Sequence, residues 1–215
     1  MVFSQTAVTC KATRHPTNID RQRKMQKLAE IFKNTFDLFF NAPIQIWETF
    51  AEGGQVIKTA KNEVIKKYGE QEKYFYFILK GSGGIMFYKS NNYLCIDLCY
   101  EGDFFGDYFS FITNQLTDLE VICFEPSTLI RIDKQNFEQL SKTEYGRLIC
   151  QIASESLYIH KQTQQLELLS KTAEQRYLEM LEKQPNIIKK TPNKYIASYL
   201  GITPESFSRI RKKIS

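Results

Sequence analysis

From Met25 onward the spacing of apolar positions changes period twice, and each change predicts a different kind of element. Leu28, Ile31, Phe32, Phe36 and Phe39 recur at three and four residues, the signature of one apolar helix face. A shorter helical turn around Ile46, Trp47 and Phe50 ends at Gly53-Gly54. The period then falls to two. The runs 55–60, 62–68, 73–81, 83–90, 92–100, 119–125 and 127–133 are short, rich in β-branched and aromatic residues, and separated by Gly, Asn and Pro. So many short strands within about eighty residues predict a closed or double-layered antiparallel β structure.

Helical spacing returns at Glu144 and runs to about Gln165. Ile149, Ile152, Ser156, Ile159, Thr163 and Leu166 alternate by three and four along it, a heptad seam. Such a stripe either packs on the β structure or meets a second copy, and the homodimer is the reading preferred here. Residues 168–172 then mark a hinge, Ala173–Lys183 forms a further helix, and Pro185 and Pro192 bracket a connector.

The last stretch, NKYIASYLGITPESFSRIRKKIS, predicts two short helices joined by a turn. Ile196 and Leu200 share a face, and Gly201 stands where a helix end favours the left-handed conformation. Thr203-Pro204-Glu205 supplies a capping hydroxyl, a proline in the first turn and an acid at the positive end of the dipole. Phe207 and Ile210 give the second helix a buried face, and Ala197 is small enough for a close crossing. This is the helix-turn-helix pattern, although an ordinary pair of helices with a basic tail satisfies the same spacing. The exposed residues of the unit are Thr203, Glu205, Ser206, Ser208, Arg209, Lys212 and Lys213. They are the donors and acceptors that phosphates and base edges require, and they are the candidate DNA-binding residues.

Charge favours the DNA reading. From Lys171 to the C-terminus ten Lys and Arg stand against four Glu, a net of +6, while the whole chain is only +5. Residues 25–170 carry fourteen against nineteen, and residues 1–24 add +4. A positive excess gathered on one segment is the footprint expected for double-stranded DNA. Residues 1–24 themselves lack apolar periodicity and predict a disordered basic tail, or a start placed upstream of Met25. No apolar run reaches the length of a membrane span and the N-terminus lacks a signal-type apolar region, so a cytoplasmic protein without membrane contact is expected. The five cysteines, at positions 10, 95, 99, 123 and 150, have no zinc-type spacing. Neither a metal site nor a catalytic pair is expected, and the chain does not read as an enzyme.

Four features in order, a strand ending Lys80-Gly81, the stretch EGDFFGD at 101–107, STLIRIDKQNFEQL at 127–140 and the terminal helix pair, resemble the Crp/Fnr family of transcription regulators. The resemblance covers about residues 25–215. It implies an α+β chain in which an antiparallel β-roll of cyclic-nucleotide-binding type (25–143) precedes a dimerisation helix (144–168) and a small helix-turn-helix domain (169–215). It also implies a β-hairpin wing, for which the residues up to Ser215 leave little room. RNA polymerase joins DNA and a second copy among the expected partners. Family oxygen sensors use a cysteine cluster and haem sensors use β-domain ligands; Cys10 alone and a β region without histidine support neither, so no cofactor is expected.

In nucleotide-binding members, an acid after the EGDxFG glycine binds ribose and an Arg-Ser pair about ten residues later holds the phosphate. Gly106 and Asp107 match the first positions, with Tyr108 beside them, but the pair falls on Thr117-Asp118. Thr117 offers a neutral hydroxyl in place of a guanidinium fork. Asp118 beside a phosphate would add a repulsion of about 4 kcal/mol at an effective dielectric near 20, or roughly a thousandfold in affinity. No Lys or Arg lies between Lys89 and Arg131 to compensate. The effector is therefore expected to be an unknown small molecule other than cyclic AMP, with Thr163 of the long helix facing the pocket. A plain turn glycine and capping acid remain the alternative for Gly106 and Asp107. The competing class for the whole chain is a signalling or scaffold protein whose β-roll binds a ligand or partner and whose C-terminal helices bind protein.

Overall fold

The computed structural model describes residues 18–37, 41–89 and 92–214. Residues 1–17, most of the expected basic tail, and Phe39 lie outside them. Two helices open the described chain, α1 (Asn18–Phe36) and α2 (Ile44–Gly53). The start of α1 corrects the boundary expected at Met25: residues 18–24 are helical, because polar residues extend a helix whose apolar face begins only at Leu28. Phe32, Phe36, Trp47 and Phe50 then bury where α1 and α2 meet, with the Phe36 and Trp47 rings 5.7 Å apart.

Eight strands follow: β1 (Gly54–Thr59), β2 (Val64–Lys66), β3 (Tyr74–Lys80), β4 (Gly83–Lys89), β5 (Asn92–Cys99), β6 (Phe104–Phe105), β7 (Leu119–Cys123) and β8 (Ser127–Asp133). They form two four-stranded antiparallel sheets, ordered β1-β8-β3-β6 and β2-β7-β4-β5. The antiparallel β-roll read from the seven apolar runs is thus present, and the two-residue β6 is the addition. Strand β3 is buried from Phe75 to Ile78 because both its faces are covered. Phe77 packs under α1 and α2, whereas Tyr76 and Ile78 enter the space between the sheets with Cys99, Phe105, Val121 and Leu129.

The remaining helices are α3 (Tyr108–Thr113), α4 (Lys134–Leu140), α5 (Glu144–Ser170), α6 (Ala173–Lys183), α7 (Ile187–Lys190), α8 (Asn193–Tyr199) and α9 (Pro204–Ile214). Thr143 caps α5 through Gly146 N–H, and Thr172 forms a capping box with Gln175 at α6. Helices α6–α9 pack on the outer face of the β2-β7-β4-β5 sheet. Tyr177, Ile187, Ile196, Leu200 and Phe207 share one core with Met86, Cys95, Ile122 and Phe124. Ring stacking of Phe124 on Tyr195, at 4.9 Å, and a 2.9 Å bond from Cys95 N–H to Ser198 Oγ tie the two parts together.

Candidate functional site

The chain turns from β6 into α3 at Gly106, whose φ of +132° is a conformation side chains rarely adopt. Its absent Cβ also lets Glu72 and Tyr76 approach. Asp107 follows as the cap of α3, accepting from Ser110 N–H at 3.0 Å through Oδ1. Its second oxygen holds something the sequence reading missed. Lys66 reaches it from β2 at 3.0 Å, and both side chains are almost wholly buried. The same ammonium donates to Thr117 Oγ1 and to the Leu119 carbonyl, each at 2.6 Å, and the Thr117 hydroxyl donates to Asp107. A buried ion pair needs such additional hydrogen bonds to offset its desolvation.

This arrangement corrects two expectations. A cation does stand beside Asp107 and Thr117, supplied by Lys66 from upstream of the stretch between Lys89 and Arg131. Asp118 is exposed and does not line the cavity that Asp107 lines, so the like-charge argument does not reach a ligand there. Asp107 and Thr117 are both paired with Lys66. The lysine points inward because the register slips: Val64 pairs with Ile122 but Lys66 pairs with Val121, a β-bulge that turns Lys66 to the inter-sheet side. Strict alternation would have placed it beside Val64 on the opposite face.

Glu72 completes the buried polar group. It accepts the N–H of Lys73 at 3.0 Å and of Tyr74 at 3.2 Å, while its own N–H donates to Ser110 Oγ at 2.9 Å. Burial pushes its pKa up to about 7; the backbone donors oppose this only in part, and Asp107 adds to it.

Gly106, Asp107 and Tyr108 line a cavity of about 400 Å³ between the β-roll and α5. Its walls are mainly apolar, including Phe75, Phe105, Ile96 and Leu157. Thr117 does not line the cavity itself, but its hydroxyl bonds Asp107, which does. Thr163 is exposed and lines a separate cleft beside α6, which corrects its assignment to the pocket. The helix presents other residues instead. Ser154 Oγ and Tyr108 OH lie 3.0 Å apart, Lys161 binds Asp97 at 2.7 Å, and Gln164 donates to the Ile96 carbonyl at 2.9 Å. His160 also meets Asp97, at 3.2 Å. Burial alone would raise the Asp97 pKa, but bonds from His160 and Lys161 hold it below the ordinary value. The Asp97 bond in turn raises that of His160.

The seam on α5 divides. Ile149 is buried in the core under α1 and α2, which corrects its place in a dimer face, and Ile152 is half-buried. Ser156 and Thr163 are exposed at the side. Ile159, Leu166 and Leu169 are 62%, 64% and 80% exposed, so the apolar stripe continuing from Ile152 has no cover in its own chain.

At the C-terminus, Gly201 adopts φ +71° and Thr203 Oγ1 accepts from Ser206 N–H at 3.2 Å, as the turn and cap require. Phe207 turns into the core, leaving Glu205, Ser208, Arg209, Lys212 and Lys213 exposed. Ser206 Oγ accepts from Arg209 Nη2 at 3.1 Å, which orients the guanidinium. Lys213 is drawn to Glu174 of α6 at 2.7 Å. Thr203 and Ser206 also line an open groove of about 720 Å³ with Asn92, Tyr93 and Leu94 of the β4-β5 hairpin.

Comparison with known proteins bears on this geometry. Residues 56–144 match the cyclic nucleotide-binding domain family. The match covers the β-roll and ends at the start of α5. Among solved structures, the c-di-GMP-responsive global regulator CLP of Xanthomonas campestris shares 17% identity at a TM-score of 0.62, covering 80% of this chain and 91% of that one. FixK2 of Bradyrhizobium japonicum shares 18% at 0.63, covering 75% and 84%. A cyclic nucleotide-binding domain from Methylobacillus flagellatus shares 13% at 0.54, covering 64% and 82%. No curated protein sequence matches the chain. At these identities the likeness establishes the fold: a cyclic nucleotide-binding β-roll with helices C-terminal to it. Among the described residues, no cluster of His, Cys, Asp or Glu is arranged to hold a metal ion, and no helix is long and apolar enough to cross a membrane.

Proposed function

We propose that the protein is a homodimeric, sequence-specific DNA-binding transcription regulator whose β-roll senses a small molecule other than a cyclic nucleotide. One observation carries the reading. Helix α9 leaves Glu205, Ser208, Arg209 and Lys212 exposed, opposite a buried Phe207, on the segment where the chain's positive charge is concentrated. In this reading α8 and α9 are a helix-turn-helix, α9 enters the major groove, and the α5 stripe joins two copies so that two half-sites are read together. RNA polymerase is then the machinery on which the regulator acts.

Strand β5 supports a route from pocket to reading head. It binds α5 through Asp97 and the Ile96 carbonyl, and it binds α8 through Cys95 N–H. A ligand that shifts β5 against α5 would move both the dimer helix and the helix pair. Loss of retardation of a selected DNA sequence over a random one, at any salt, would overturn the reading.

One observation favours a second reading, a signalling module whose C-terminal helices bind protein: those helices share a hydrophobic core with the β-roll. Salt separates the two. DNA affinity falls steeply as added salt reduces the gain from counterion release, whereas an apolar protein contact is nearly indifferent.

A further inference from the structure

Every charge at the cavity between the β-roll and α5 is already matched by a partner from this chain. Asp107 is held by Lys66, Thr117 and the N–H of Ser110. Asp97 is held by Lys161 and His160. An ionised ligand entering the cavity would lose its water and find no unmatched charge, which disfavours phosphate, carboxylate and ammonium alike. What remains is apolar wall from Phe75, Phe105, Ile96 and Leu157, together with one uncharged polar spot. There the Tyr108 and Ser154 hydroxyls bond each other at 3.0 Å. Ser154 Oγ also donates to the Cys150 carbonyl at 2.8 Å, so the Tyr108 hydroxyl donates to Ser154 and the pair keeps only spare lone pairs for a third group.

Resting on the reading of the β-roll as the sensor, we infer that the cavity binds an uncharged, largely apolar molecule with an aromatic or alicyclic body and a single hydrogen-bond donor, a hydroxyl or an amine N–H. About 400 Å³ lies in the range of pockets that enclose small organic ligands. The ligand's body lies against Phe75 and Phe105, and its polar group meets Tyr108 and Ser154. Because Ser154 and Leu157 belong to α5, occupancy adds contacts between that helix and the β-roll and strengthens their association.

The test uses the full chain and two fluorescent probes of similar shape, uncharged N-phenyl-1-naphthylamine and anionic 8-anilinonaphthalene-1-sulfonate. The expected result is saturable binding of the uncharged probe at least tenfold tighter than the sulfonate, with no displacement by millimolar cyclic AMP. Ile96→Trp and Leu157→Trp each fill the cavity from a half-buried position. Whichever retains the wild-type melting curve should weaken the uncharged probe at least tenfold. Equal binding of the two probes, displacement by cyclic AMP, or unchanged binding in a folded Trp variant would overturn the inference. The probe comparison on wild type stands even where both variants fail to fold. DNA retardation run in parallel separates the two proposals: specific DNA binding without probe binding removes only the ligand class, and probe binding without specific DNA binding removes only the regulator reading.

Discussion

Lys66 and Asp107, 41 positions apart, form an ion pair of 3.0 Å in the interior of the β-roll. Lys66→Met keeps the aliphatic stem but strands a buried carboxylate. The expected loss is about 3 to 5 kcal/mol of stability in urea unfolding. Adding Asp107→Asn should restore a large part of it. A loss below about 1 kcal/mol for the single change would mean that water solvates the pair.

The same pair bears on nucleotide binding. Calorimetric titration with cyclic AMP is expected to give only heats of dilution, since Asp107 and Thr117 are both engaged by Lys66. Tight binding abolished by Asp107→Ala would show instead that the lysine yields its place.

Glu72 supplies a pH dependence. Its pKa is raised from 4.5 to about 7 by burial, so the folded state binds the proton more tightly than the unfolded chain. The contribution is therefore fully present below pH 4.5 and is lost as pH rises through about 7. It is on the order of a few kcal/mol, since each tenfold difference in proton affinity between the two states is worth about 1.4 kcal/mol. Glu72→Gln should flatten this part of the stability profile, measured as melting temperature between pH 5 and 8. An unchanged slope in the variant would assign the dependence to other groups.

For the reading head, Arg209→Ala should cost about 1 to 3 kcal/mol per half-site and relax preference at one base pair. Lys212→Ala should weaken binding to all sequences alike and reduce the salt slope by about one unit. Selection from random DNA distinguishes these effects. The same motif, equally sharp, from wild type and Arg209→Ala would remove base reading by this face.

The stripe on α5 predicts the assembly state. Leu166→Glu, at a position 64% exposed within one chain, should leave the fold intact and convert a dimer to a monomer in light scattering. A wild-type chain that is monomeric at tens of micromolar would end the two-fold model.

Much of this architecture is written in local pattern. Alternation of period two marks seven of the eight strands, and Gly201 with Thr203 marks the turn and cap between α8 and α9, because these features depend on near neighbours. Helix α6 was legible over the same range, Ala173–Lys183, whereas its capping box of Thr172 and Gln175 appears only in the structure. Ile149 and Ile159 look alike in a heptad, yet one lies under α1 and α2 and the other faces outward, since helix rotation against a sheet is settled by packing across the fold. Lys66 is the sharper case. A single slip in the pairing of β2 with β7 reverses the face of a lysine, and its carboxylate partner comes from 41 positions away; neither leaves a trace in the spacing of residues.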